Sequence, residues 1–229
     1  MRILLVNGSP KQRESSTYDL ANIIINYVAQ EAENDIVEQN VMDLPHVDSD
    51  YSEALCTPEL MRCESKGSLA LSNKLIADLV WSDLVIITSP IHNFSLPSGL
   101  KCWIDHVVRA GKTFYISPTG KHALLENKPV YILTSSGGRF SGENSYQPDY
   151  FIPYIKDVLG VIGLENLHFF SLEGTASKNV NKELEVTSER LRNHLIGSKL
   201  CSGQLKLATV LEFSQYNRSD SLGVRPPLY

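Results

Sequence analysis

No apolar run in the sequence approaches the roughly 20 residues needed to span a bilayer, and Ile3-Leu-Leu-Val6 near the start is too short for a secretory core. The sequence also lacks any block of like charge and any basic stripe. Lys and Arg number 21 against 26 Asp and Glu, a formal charge of -5, so neither nucleic acid nor an anionic membrane surface is indicated as a partner. Cysteine is scarce. The four cysteines, Cys56, Cys63, Cys102 and Cys201, show no paired C-x-x-C spacing and are too sparse for a disulfide framework. Free thiols in a cytoplasmic protein are the expectation. Of the six histidines, His46, His106, His122, His168 and His194 have no ligand spacing to one another or to the cysteines, and no metal is inferred.

What is present is apolar mass and alternation. With 229 residues and 42% hydrophobic content, the chain can fill the core of one large α/β domain. Apolar β-type runs at residues 2–7, 35–42, 84–88, 129–134 and 166–171 alternate with helical patterns at 16–30, 69–80, 97–110, 150–162 and 183–196. Five strands alternating with helices imply a doubly wound, mainly parallel sheet with helices on both faces. In such sheets ligands bind beyond the carboxyl ends of the strands, where strand order reverses. The domain is expected to span residues 1–196. Residues 197–229 form a C-terminal extension to which no role is assigned, and residues 44–68 form a long connection expected to be functional or to contain short helices.

Three strand exits are informative. The first, residues 7–17, contains neither G-x-G-x-x-G nor G-x-x-x-x-G-K-[ST], which argues against a dinucleotide fingerprint and a triphosphate P-loop. It is rich in hydroxyls instead. Ser9, Ser15, Ser16 and Thr17 stand beside a helix N-terminus, where unpaired N–H groups and the dipole suit one phosphate monoester. Ordinary helix capping by Ser15 or Ser16 explains the same residues, and the loop alone does not decide. The exit at residues 134–138, Thr-Ser-Ser-Gly-Gly, lets backbone lie flat against a planar group, although a tight turn would have the same composition. The third exit, Pro90-Ile-His-Asn-Phe94, joins these at one sheet edge. A mononucleotide carrying a large flat ring fits all three.

Pro90-Ile-His-Asn-Phe94, then Pro97-x-x-Leu100-Lys101-x-x-Ile104-Asp105 and Arg109-Ala-Gly-Lys-Thr-Phe114, resemble the FMN-dependent NADH-azoreductase family of flavodoxin-like quinone reductases. Residues 71–79 and the 134–138 loop fit the same pattern. The resemblance covers roughly residues 1–196. It implies a flavodoxin-like five-stranded parallel sheet of order 2-1-3-4-5, bound FMN, NADH or NADPH as co-substrate, and a homodimer. By position, Ser9, Ser15, Ser16 and Thr17 would hold the FMN phosphate. Ile91, His92, Asn93 and Phe94 would line the isoalloxazine, and Ser135, Ser136, Gly137 and Gly138 would meet its pyrimidine side. Where the family usually has tyrosine this chain has His92, and Ile116 and Val161 are aliphatic where aromatic clamps are common. Compact quinones are therefore expected to be better substrates than bulky azo compounds.

The resemblance implies two-electron, ping-pong hydride transfer from a nicotinamide to a quinone or azo acceptor, with alignment and charge stabilisation supplied by the protein. Gly137 and Gly138 N–H groups are the expected partners of the negative charge. For His92 both proton donation and a passive hydrogen-bonding role stand open. The rival reading is a flavodoxin-type single-electron carrier. Asp105, His106 and Arg109 read as a polar helix face with an Asp105–Arg109 pair, and the Trp103 and Val107 stripe as core or dimer interface.

Overall fold

The structure, a computed structural model, describes residues 1–31, 33–56, 67–198 and 200. Strands β1 (Arg2–Asn7), β3 (Leu84–Pro90) and β6 (Val130–Ser136) are buried almost throughout, because each lies inside a parallel sheet covered on both faces. Strands β2 (Asp35–Asn40) and β7 (Leu167–Glu173) form the edges and carry more polar residues. The sheet order is β2-β1-β3-β6-β7, all parallel. This is the expected 2-1-3-4-5 order once the short antiparallel hairpin β4 (Phe114–Ser117) and β5 (Gly120–Ala123), not foreseen from sequence, is counted.

Because side chains alternate along a strand, the sheet builds two cores. Ile3, Leu5, Ile86 and Leu133 pack under α1 (Ser16–Glu31) and α6 (Val180–Gly197), through Leu20, Ile24, Leu191 and Leu195. Leu4, Val6, Val85 and Ile87 face α3 (Gly67–Trp81), α4 (Ser98–Val107) and α5 (Ile152–Val161). The remaining helix, α2 (Ser49–Cys56), lies in the long connection after β2, and Asp48 caps it by accepting the Tyr51 N–H at 2.8 Å. No helix of the described residues is long and apolar enough to cross a membrane. Cys56 and Cys102 are free; Cys63, Cys201 and most of the expected C-terminal extension lie outside the described residues.

Two sequence expectations for α4 change. Asp105 pairs with Lys101 at 2.5 Å, not with Arg109. Arg109 is 2% exposed and turns inward, donating to Ser72 Oγ at 2.8 Å, to the Leu69 carbonyl and to Asn73 Oδ1. Burial lowers its pKa. His106 is also buried, with Nε2 2.9 Å from the Pro45 carbonyl, so of the supposed polar face Asp105 stays at the surface, while His106 turns to the β2–α3 connection and Arg109 to α3. The alternatives left open for Trp103 and Val107 resolve to core, since both are fully enclosed by their own chain.

A second cluster joins β7 to α6. The rings of His168 and His194 are 4.8 Å apart, and His168 lies 4.8 Å from the ring of Tyr131. Burial, then the neighbouring His194, lower the His168 pKa. A histidine that resists protonation in the fold is protonated more readily in the unfolded chain. Its contribution is thus complete above the ordinary value near about 6.5 and is lost as pH falls below it. Thermal midpoints should fall as the pH drops below about 6.5, and His168→Phe should flatten that slope. Parallel pH profiles for wild type and variant would refute the assignment.

Candidate functional site

The exits of β1, β3 and β6 meet at the carboxyl edge of the sheet. The chain leaves β1 for β2 on one side while β3 lies on the other, so the edge between β1 and β3 is the point of reversal, the place where ligands bind in such sheets. Backbone hydrogen bonds link neighbouring exits: Gly8 N–H donates to the Thr88 carbonyl at 2.7 Å, and Ile91 N–H to the Ser135 carbonyl at 2.7 Å. Gly8 is required by this approach. A Cβ there would lie 2.9 Å from the Thr88 oxygen.

Asn7, fully buried, organises the β1 exit. Its Oδ1 accepts the Ser9 N–H and the Thr88 hydroxyl, both at 3.2 Å, and its Nδ2 reaches Glu38 at 3.4 Å. Sequence reasoning passed over it as the last residue of a strand. The hydroxyls beyond it divide into two groups. Ser15 Oγ donates to the Gln12 carbonyl at 2.8 Å, accepts the Tyr18 N–H at 3.2 Å and lies 3.2 Å from Thr17 Oγ1, so Ser15 is the cap of α1 and Thr17 its buried neighbour. Among the described residues, Ser9 Oγ accepts only the Lys11 N–H, at 3.3 Å, and Ser16 makes no side-chain hydrogen bond. Both retain a hydroxyl proton to donate. The first N–H groups of α1 have no intrahelical acceptor and add a positive dipole end.

The β3 exit makes a tight reversal. His92 and Ser95 exchange backbone hydrogen bonds of 3.0 and 2.9 Å, leaving Asn93 and Phe94 as the two central residues, with φ of 48° and 68°. Positive φ at both positions is the type I′ geometry, natural for Asn and costly for Phe. A strained aromatic at a strand exit is the kind of feature that collects at ligand sites. His92 and Asn93 are exposed, Phe94 is 44% exposed and Ile91 is half-buried against the core. Tyr150 N–H donates to the Phe94 carbonyl at 3.3 Å, which brings an exposed tyrosine to the turn.

At the β6 exit, the carbonyls of Ser136, Gly137 and Gly138 accept the N–H groups of Thr175, Ala176 and Gly174 at 3.0, 3.4 and 3.2 Å. Gly138 is covered by the Gln147 amide, which a Cβ would meet at 2.4 Å. Ser136 and Gly138 are buried, Ser135 is half-buried and Gly137 is exposed. All twelve anticipated residues therefore belong to three adjoining exits. The proposed aromatic-clamp positions do not share one environment: Ile116 is 68% exposed on the hairpin, whereas Val161 packs on the core. Tyr115 stacks on His122 with centroids 4.9 Å apart.

The donor set fits a flavin mononucleotide: hydroxyls and helix-start N–H groups for a phosphate, and a flat glycine-containing segment for a ring. Residues 1–195 match the Flavodoxin_2 family, described as a flavodoxin-like fold. The chain belongs to this family. It is 39% identical over 175 residues to an FMN-dependent NADH:quinone oxidoreductase 4 of Pseudomonas fluorescens, covering 75% of this chain and 84% of that one. It is 38% identical over 200 residues to an FMN-dependent NADH:quinone oxidoreductase of Herminiimonas arsenicoxydans, covering 85% and 98%. An FMN-dependent NADH-azoreductase from Bacillus anthracis, solved in complex with FMN, shares the fold with a TM-score of 0.73 at 20% identity, over 86% of this chain and 98% of that one.

Proposed function

We propose that this Flavodoxin_2 protein is an FMN-dependent NADH:quinone oxidoreductase, with azo compounds as further acceptors. The observation that carries the reading is the convergence of the uncommitted Ser9 and Ser16 hydroxyls at the α1 start, the strained 92–95 turn and the glycine-containing 135–138 loop on one sheet edge. FMN, when bound, supplies the hydride chemistry. Ser9, Ser16 and the N–H groups at the start of α1 hold its phosphate, with Ser15 and Thr17 shaping that start. Ile91, His92, Asn93 and Phe94 line the ring and exclude water. Ser135, Ser136, Gly137 and Gly138 face its pyrimidine side, where backbone N–H groups favour negative charge. His92, exposed at the turn, is placed as a proton donor.

We also assign a homodimer. Tyr115, Ile116 and Leu124 around the β4–β5 hairpin are 44, 68 and 49% exposed, an apolar surface that a second copy would cover. A fully active monomer in sedimentation at micromolar concentration would remove that part. The cytoplasm, where NADH is generated, is the proposed location.

One cleft must serve both half-reactions, because nicotinamide and acceptor cannot stack together at a transfer distance of about 3–3.5 Å. NADH should bleach the yellow FMN-loaded protein without oxygen, and benzoquinone should restore the colour. Steady-state rates should give parallel double-reciprocal lines. Intersecting lines would mean two simultaneous sites. A yellow protein that NADH fails to bleach would favour the single-electron carrier, and one that takes up no FMN would end the reading.

A further inference from the structure

Glu173, the last residue of edge strand β7, has no place in any motif, yet it organises the β6 exit. One carboxylate oxygen accepts the Phe140 N–H at 2.8 Å and the Ser141 N–H at 3.2 Å, and the other accepts the Ser141 hydroxyl. Its register partner is Ser136, where the loop begins. The residues just after it complete the clamp. Gly174, with φ of 72°, and then Thr175 and Ala176 donate to the carbonyls of Gly138, Ser136 and Gly137. Both flanks of the Gly137-Gly138 segment are therefore fastened to the end of β7, one through backbone and the other through a single side chain.

The consequence extends one turn further. The Arg139 carbonyl accepts the N–H groups of Tyr146 and Gln147 at 3.1 and 3.2 Å, and Gln147 lays its amide over Gly138. Arg139 itself pairs with Glu183 of α6 at 2.5 Å. Releasing residues 140 and 141 would loosen the carbonyl that holds this cover. We infer that Glu173 is a positioning residue for the flavin ring: its carboxylate fixes residues 137–141 in the conformation that receives the pyrimidine edge of FMN. It acts through the loop and touches no reacting atom. The inference rests on the proposed FMN site.

Phosphate and ring contacts can be separated by comparing FMN with riboflavin, which lacks the phosphate. Glu173→Ala should weaken both ligands by about tenfold or more, because the three hydrogen bonds that hold residues 140 and 141 are lost together. Glu173→Asp keeps the charge but withdraws it by one methylene, and should weaken both similarly. Glu173→Gln should bind nearly as wild type, because its carbonyl can take both N–H groups while its amide faces the Ser141 hydroxyl. The Asp and Gln variants decide the matter even if Glu173→Ala does not fold. Unchanged binding in the Asp or Ala variant would overturn the inference, as would a loss confined to FMN. A Gln variant as weak as Asp and Ala would also overturn it, assigning the effect to charge. If wild type binds neither ligand, it is the proposed function that fails.

Discussion

Replacing Trp103 by alanine is expected to lower stability by about 3–5 kcal/mol, the usual cost of emptying an aromatic-sized site in a packed core. Trp103 is fully buried on α4 within the core face that includes Val6, Val41 and Ile87. Its indole Nε1 donates to Gln39 Oε1 at 2.7 Å, and Gln39 in turn donates to Asp78 at 2.8 Å. One side chain thus links α4 to the edge strand β2 and to α3. Truncation leaves both a cavity and a buried amide oxygen without its donor. Trp103→Phe separates the two: most of the packing stays and the hydrogen bond goes, so a loss of about 1–2 kcal/mol is expected. Chemical denaturation of the three proteins measures both terms. A Trp103→Ala loss under about 1 kcal/mol would show that the side chain lies at a surface and not in the core.

The parts of the fold that were legible are those whose burial imposes a period. Strands β1 and β3 are enclosed on both faces and read as continuous apolar runs, and α1 shows Leu20, Ile24 and Val28 on one stripe. The β4–β5 hairpin has four residues in each strand and buries little beyond Phe114, so no periodic signal exists. Helix α2 falls in the 44–68 connection, which was expected to be functional or to contain short helices, and Asp48, its cap, is the residue that signals where it starts.

Legibility of the site follows a related division. Ser9, Asn93 and Gly138 were legible as strand-exit residues because their types suit turns and close contacts there. Asn7 and Glu173 were missed because their partners are distant in sequence: Thr88 for one, Phe140 and Ser141 for the other. Arg109 was misread for a related reason. Helical spacing offered it Asp105, but Asp105 has Lys101 at the same spacing, and only the tertiary fold shows that Arg109 faces Ser72 and Asn73.

The division among the β1-exit hydroxyls gives the second large effect. Replacing Ser9 and Ser16 together by alanine should weaken FMN by roughly 1–3 kcal/mol, equivalent to about 5- to 150-fold, because two donors to a doubly charged group are lost. Neither hydroxyl supports the fold: Ser16 makes no side-chain hydrogen bond among the described residues, and Ser9 Oγ accepts a single long one from Lys11. Thermal stability without ligand should stay near wild type. Ser15→Ala should behave in the opposite way. Its hydroxyl bonds the Gln12 carbonyl and the Tyr18 N–H, so its loss should cost about 1 kcal/mol of stability through the uncapped helix, with a smaller effect on FMN. Riboflavin supplies the internal control, since the Ser9/Ser16 variant should bind it as wild type does. Titration of flavin fluorescence with each ligand reads all of these. If the double variant keeps wild-type FMN affinity, the hydroxyls are not the phosphate site. If it loses riboflavin as well, the β1 exit shapes the ring pocket instead of holding the phosphate.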